Sequence, residues 1–292
     1  MTGAPSGPGG DRAAGVCAVV LAAGEGRRLR PLTEQVPKAL CPVGNVPLLD
    51  RALARVAGLG LAGPATVAVN ACYLGERVVR HVGDRATLSV EPDGPLGTAG
   101  GLARLRDWIA GRGVLVGNAD GYLADPDRPP GPDIAALLTG WDGHTVRLLG
   151  VPASGPEPAE FSGHRFAGFS LIPARYLDRL SGAEPNLVRA VWRPAEAAGD
   201  LEIVPFAGTY LDTGTPADYL AANLHAAGGR NLIDPTATVT GSCDRTVVGA
   251  GATVRGTTVR AVVWPGEVVG PDERLTDAVR FGRGRTLPAG TI

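Results

Sequence analysis

From Val16 onward, short runs of β-branched residues alternate with stretches whose apolar residues recur at helical spacing. Residues 16–21, 66–70, 87–91, 114–118 and 145–151 predict strands, and residues 47–59, 74–82, 99–110 and 173–180 predict helices. Such alternation builds a mostly parallel sheet covered on both faces. Ligands of these sheets sit beyond the carboxyl ends of the strands, and the first such end is the run LAAGEGRRLRPLT at 21–33.

After about Gly228 the pattern changes. Ile233 and Val239, then Val248 and Val254 after a register shift, then Val263, Val269, Leu275, Phe281 and Leu287 recur six residues apart, with Gly, Asp, Pro and Thr between them. This predicts a short hexapeptide β-helix, in which each turn buries its inward residue by stacking on the next. Residues 1–15, rich in Gly, Pro and Ala, predict a disordered tail. The expected divisions are therefore 1–15, 16–228 and 229–292.

Composition removes several function classes. With 292 residues, 44% of them apolar, the chain can hold one large domain and a smaller one. A net charge of −1 gives no basic field for nucleic acid or an acidic membrane. The apolar run at 16–23 is too short to span a bilayer, and residues 1–15 lack a signal peptide's basic start and apolar stretch, so a cytoplasmic protein is expected. Cys17, Cys41, Cys72 and Cys243 are scattered and imply neither a zinc site nor a disulfide framework.

The glycine loop admits three phosphate-binding readings. A Walker loop requires Gly-Lys-Ser/Thr, which is absent, and a dinucleotide fold requires a third glycine where Leu29 stands. Arg27, Arg28 and Arg30 follow instead, and Pro31 blocks immediate helix propagation. What remains is a loop whose N–H groups approach phosphate oxygens while cations offset a triphosphate's charge. Lys38, the one lysine beside 27 arginines, suits a site that wants a compact charge on a flexible stem. Glycines in a turn are more often only a turn, and a single lysine can persist by chance, so neither feature alone assigns the site.

The run Gly24-x-Gly26-x-Arg28-x-x-Pro31-Leu32-Thr33 with Pro37-Lys38 resembles the signature of the sugar-1-phosphate nucleotidylyltransferases, and the resemblance extends over nearly the whole chain. The segment 91–102, EPDGPLGTAGGL, is similar to their segment that contacts base and sugar. Asn118-Ala119-Asp120 resembles their Asn-Gly-Asp, and 210–216, YLDTGTP, their aspartate-containing Gly-Thr-Pro motif. The resemblance implies an α/β fold with a Rossmann-like mixed sheet of the glycosyltransferase-A kind, followed by a short left-handed hexapeptide β-helix. It implies that a nucleoside triphosphate and a sugar 1-phosphate give a nucleotide sugar and pyrophosphate. Arg28 and Lys38 would bind the phosphates, and Asp120 and Asp212 would hold Mg²⁺. Leu21, Ala23, Gly24, Gly26, Gly97 and Thr98 would face the nucleotide, and Gly100, Gly101, Glu160 and Gly168 the sugar. A sugar phosphate is already an anion, so the chemistry needs positioning and charge stabilisation rather than a general base.

Several positions depart from that pattern. The Glu-Lys-Pro that grips the sugar phosphate in many members is missing, Gly155-Pro156-Glu157-Pro158 standing in its region, so the acceptor phosphate must be held otherwise, with Arg165 or Arg147 as candidates. Ala119 replaces a glycine, and Phe166 an asparagine. The run 70–76, NACYLGE, and 166–173 resemble the N-acetylmuramate α-1-phosphate uridylyltransferases, whereas Leu96 to Gly100 with the added tail resembles the mannose-1-phosphate guanylyltransferases. Guanylyl transfer to a hexose or heptose 1-phosphate is the first expectation. Uridylyl or thymidylyl transfer to an amino sugar or glucose 1-phosphate, and a non-catalytic nucleotide-sugar-binding homologue, are the alternatives. An acyltransferase role for the tail is disfavoured by its lack of histidine and its roughly three coils. A packing or homo-oligomer role is expected for it.

Overall fold

The computed structural model describes residues 15–153, 160–180 and 184–290. Residues 1–14 of the expected tail and the 155–158 run lie outside the described residues. Seven strands form the main sheet, in the order Leu201–Pro205, Val146–Pro152, His164–Ile172, Gly113–Asn118, Val16–Leu21, Val67–Ala71, Thr87–Val90. All neighbours are parallel except His164–Ile172, which runs antiparallel to both of its own. The apolar run Val16–Leu21 occupies the interior of the sheet, as a strand buried on both faces should. Its alternate residues feed two cores. Val16, Ala18 and Val20 pack with Leu49 and Val56 of helix Leu48–Gly58 and Val78 of helix Gly75–Val82, while Cys17 and Val19 pack with Leu102 of helix Gly97–Arg104.

The five predicted strands are present to within about a residue at each end. The helix predicted at 99–110 divides at Leu105 into Gly97–Arg104 and Arg106–Ile109, and that predicted at 173–180 shortens to Ala174–Leu177. The sequence reading missed His164–Ile172, Leu201–Pro205 and a two-stranded ribbon of Gly121–Ala124 with Thr209–Asp212. That ribbon pairs Asp212 with Gly121 and so carries it beside Asp120.

The ribbon is anchored by a buried ion pair. Arg55 donates from Nε to Asp133 at 2.9 Å and from Nη2 to the Leu123 carbonyl at 2.6 Å, with both charged side chains almost fully buried. Arg55→Ala strands the Asp133 carboxylate in the core and is expected to cost about 3–5 kcal/mol in urea denaturation. A loss under 1 kcal/mol would show that water reaches the site.

The C-terminal part is a stack of strands in two sets, a six-stranded and a three-stranded sheet, parallel except for the last strand, Arg285–Pro288, which runs antiparallel to Arg274–Phe281. One set aligns Leu232 with Val247, Val247 with Val262 and Val262 with Val279. Each turn thus advances 15 residues twice and then 17, rather than a multiple of six. Val248, Val254, Val263, Val269 and Leu275 form its inner cluster. Ile233, in the terminal rung, is 40% exposed because no turn covers it on that side. Phe281 and Leu287 belong to another cluster, where the stack meets the preceding part of the chain: Leu29, Leu32, Leu48 and Tyr219 pack there with Val262, Trp264, Val279 and Phe281. Trp264 Nε1 donates to the Tyr219 hydroxyl at 2.9 Å, and Asn45 Nδ2 to the Val248 carbonyl at 3.0 Å.

Candidate functional site

Beyond Leu21 the chain cannot continue as a helix. Gly26 takes a left-handed φ of 61°, and a side chain there would sit 2.8 Å from Thr33 Cγ2 and 3.0 Å from Lys38 Cβ. Three short 3₁₀ turns follow, Arg27–Leu29, Leu32–Glu34 and Lys38–Leu40, interrupted by Pro31 and Pro37. Thr33 Oγ1 closes the loop by donating to the Gly26 carbonyl at 2.9 Å. Leu29 and Leu32 bury inward while Arg28 and Lys38 point to the strand ends.

Three charged segments converge there. Lys38 Nζ lies 2.9 Å from Asp120 Oδ2 and 3.3 Å from Asp212 Oδ1, and Arg28 Nη2 lies 3.2 Å from Asp212 Oδ2. Thr213 Oγ1 donates to the Asp120 carbonyl at 2.8 Å, and the Ala119 N–H to the Leu21 carbonyl at 3.0 Å, so both aspartates are tied to the first strand. Ala119 keeps an ordinary negative φ, so the position needs no glycine. At Gly214 an added side chain would meet Arg28 Nη2 at 2.7 Å and Asp212 Oδ2 at 3.1 Å and so press on the ion pair between them.

Lys38 is 5% exposed. Burial alone would lower its pKa, but attraction to Asp120 and Asp212 and the hydrogen bonds to both prevail, raising it above 10.5. A raised folded value gives a stabilisation that is complete below the ordinary lysine pKa and is lost only as pH rises through the folded one. The ammonium is therefore charged throughout the neutral range. Tyr210, beneath the aspartates, has its pKa raised by burial first and then by Asp120, Asp212 and Glu160, so it remains a neutral phenol.

A cavity of about 360 Å³ opens at this point. Leu21, Ala23, Gly24, Gly26, Arg28, Lys38, Gly97, Thr98 and Asp120 line it, and Asp212 reaches it through Lys38. The four residues expected at the sugar do not line it. The missing side chains of Gly100 and Gly101 face Leu96 Cβ and Asn70 Nδ2, each at 2.8 Å, so both positions are also closely packed. Glu160 accepts the Phe166 N–H at 3.0 Å, and Gly168, with φ of 78°, lies 3.5 Å from the Tyr210 ring. Arg147 is committed to Glu202 at 2.7 Å and to the carbonyls of Leu137 and Thr139. Arg165 pairs with Val151 at the carboxyl end of that strand, and its charge is felt at Tyr210.

Eight lining residues were not named as site residues from the sequence, and two of them, Asn70 and Asn118, carry side-chain amides. Both are in register with Leu21 on the strands flanking it. An asparagine closing an apolar strand, as in VAVN and LVGN, was the available signal. Asn70 Oδ1 accepts the Ala22 N–H at 2.7 Å and Nδ2 donates to Glu91 Oε1 at 2.8 Å, while Glu91 Oε2 accepts the Leu96 N–H at 2.8 Å.

Residues 17–127 match the nucleotidyl transferase family model. The chain is 38% identical over 162 residues to N-acetylmuramate alpha-1-phosphate uridylyltransferase of Neisseria meningitidis, an alignment covering 53% of this chain and 64% of that one. This chain thus spans just under two thirds of the length of that relative. It is 28% identical to mannose-1-phosphate guanylyltransferase of Mycobacterium tuberculosis, covering 95% of this chain and 82% of the other. In fold it is similar to a Bacillus anthracis crystal structure described as a glucose-1-phosphate thymidylyltransferase, with TM-score 0.58, 18% identity, and coverage of 72% and 95%.

Proposed function

We propose that the protein, whose residues 17–127 match the nucleotidyl transferase family model, transfers a nucleotidyl group from a nucleoside triphosphate to a sugar 1-phosphate. The observation that carries this reading is the convergence of Lys38, Arg28, Asp120 and Asp212 on one cavity beyond the sheet's carboxyl edge. A phosphate oxygen of the sugar 1-phosphate attacks the α-phosphorus of the triphosphate. The new P–O bond forms as the bond from the α-phosphorus to the bridging oxygen breaks, and that electron pair leaves with pyrophosphate. Lys38 and Arg28 supply charge where the oxygens become more negative, and the fixed ammonium needs little reorganisation to do so.

The donor set suits Mg²⁺. Asp120 and Asp212 are each about half exposed and aim oxygens at one point, and Mg²⁺ takes one or two carboxylates with phosphate oxygens and water. Among the described residues no group of three or more His, Cys, Asp and Glu forms an all-protein cage. When bound, the ion would neutralise phosphate charge and hold the reacting oxygens in line.

Guanylyl transfer to mannose 1-phosphate or a related hexose or heptose 1-phosphate is our first reading, supported by the similarity to the mycobacterial guanylyltransferase along 95% of this chain. The 38% identity to the uridylyltransferase supports uridylyl transfer to an amino sugar as the second. Arg165 is the cation we assign to the acceptor phosphate in place of the missing lysine. The C-terminal stack we read as a short β-helix that packs on the catalytic domain. None of the described helices is long and apolar enough to cross a membrane.

The test incubates the protein with Mg²⁺, each ribonucleoside triphosphate or dTTP, and a panel of mannose, glucose, heptose and N-acetylmuramate 1-phosphates, following pyrophosphate release. Turnover with GTP and mannose or heptose 1-phosphate is expected. Turnover with UTP and N-acetylmuramate 1-phosphate alone would favour the second reading. Silence across the panel, with a nucleotide sugar still binding, would make the protein a non-catalytic homologue.

A further inference from the structure

Glu91 is a carboxylate at 2% exposure whose two hydrogen-bond partners are both neutral, an arrangement that costs desolvation without an ion pair in return. Its partners explain where it sits. One is the Asn70 amide, which passes the tie to the Ala22 N–H in the loop after the first strand. The other is the Leu96 N–H, immediately before the Gly97-Thr98 turn. Gly101 leaves room for both, since a side chain there would lie 2.8 Å from Asn70 Nδ2 and 3.2 Å from Glu91 Oε1. From its other side the turn is held by the Leu187 N–H, which donates to Thr98 Oγ1 at 2.9 Å, and by the Pro185 carbonyl, which accepts from the Ala99 N–H.

We propose that Asn70, oriented by Glu91, is a positioning residue for the nucleotide. The pair sets the separation between the loop 22–24 and the turn 97–98, the two walls of the cleft that receives the base. Glu91 fills this role because a carboxylate accepts on both oxygens, as the two incoming N–H groups require. Asn70 fills it because an amide accepts from one wall and donates to the carboxylate that holds the other. The inference rests on the nucleotidylyl transfer proposed above.

Two near-isosteric variants test it. In Glu91→Gln one of the two incoming N–H groups meets an NH₂, so the bracket breaks on one side. The Michaelis constant for the triphosphate is expected to rise about tenfold, the effect of one lost buried hydrogen bond to a charged group. The turnover number at saturation should stay within about threefold, because Lys38, Arg28 and the aspartates are untouched.

Asn70→Asp places a second buried carboxyl against Glu91, and two such groups retain one proton well above the usual carboxylate range. The protonated aspartic acid reproduces the asparagine, accepting from Ala22 and donating to Glu91. Triphosphate affinity in this variant should therefore be weak near pH 8 and recover toward wild type near pH 6. Wild type, with no proton to gain at residue 70, should change far less. Of the titratable groups around the pair, Cys72 has its thiol pKa raised by burial first and then by Glu91 and Glu25, out of this window.

The proposal falls if both variants, folded by circular dichroism, match the wild-type Michaelis constant at both pH values, or if the loss appears in turnover number alone. A wild type that turns over no triphosphate would remove the functional reading and this inference with it. A working wild type with unaffected variants would remove the inference only.

Discussion

Lys38→Ala is expected to lower pyrophosphate release at least about 10³-fold. Removing one preorganised donor to developing negative charge costs about 10²–10³ in oxyanion-hole sites, and here the loss also removes the ammonium that lies between Asp120 and Asp212. Lys38→Arg should not rescue it. The ammonium sits at 7% side-chain exposure between two carboxylates, and a planar fork cannot enter that gap without displacing one of them. Stability should change little, because both aspartates are about half exposed and water screens them once the lysine is gone. Steady-state kinetics together with a thermal melt separate these effects. Activity within tenfold of wild type would place the chemistry elsewhere.

Removal of residues 229–292 is expected to unfold or aggregate the remaining chain. The stack supplies Val262, Trp264, Val279 and Phe281 to the cluster that covers Leu29, Leu32, Leu48 and Tyr219. Truncating a single buried aromatic costs about 3–5 kcal/mol, and the loss of two alone consumes most of a typical domain's 5–15 kcal/mol. Phe281→Ala in the full chain isolates one part of this effect: about 3–5 kcal/mol in urea denaturation. Because Leu29 and Leu32 lie in the loop that carries Arg28 and Lys38, any folded remnant should lose turnover as well. Size-exclusion chromatography and pyrophosphate release decide the matter. A truncated protein that is compact and active would show the stack to be dispensable, and one whose size in solution is unchanged would exclude an oligomer built through it.

Where the chain follows a local rule, the rule was readable. Val16–Leu21 is a strand because six consecutive apolar or small residues can be buried on both faces of a sheet, and that requires no knowledge of its neighbours. The loop at 24–38 announced itself through Gly26, Pro31 and Pro37, whose backbone limits act at their own positions. His164–Ile172 was not legible. Gly168 at φ 78° and the register shift opposite Leu148 and Gly150 blur its alternation, and its antiparallel direction follows from pairing with strands distant in sequence. The six-residue pattern of the tail placed apolar positions that do turn inward from Val248 to Leu275. It did not give the repeat of the ladder, whose register advances 15, 15 and then 17 residues, with left-handed residues such as Arg245 and Arg260 along it.

The sequence by itself determined the inventory: a sheet with a glycine-rich first turn, one lysine after a proline, two aspartates in separate motifs, and a repetitive β tail. Tertiary structure decided which of these meet. The ribbon of Gly121–Ala124 with Thr209–Asp212 brings carboxylates 92 positions apart onto one ammonium, as the hydrogen bonds separated by 82 and 174 residues record. It also decided that Gly100 packs against Leu96 and Gly101 against Asn70, and that Asn70 lines the cleft. The physical reason is one of range. Backbone preferences and burial periods act within a few residues and are written locally, whereas the direction a polar side chain faces depends on what the rest of the chain packs against it.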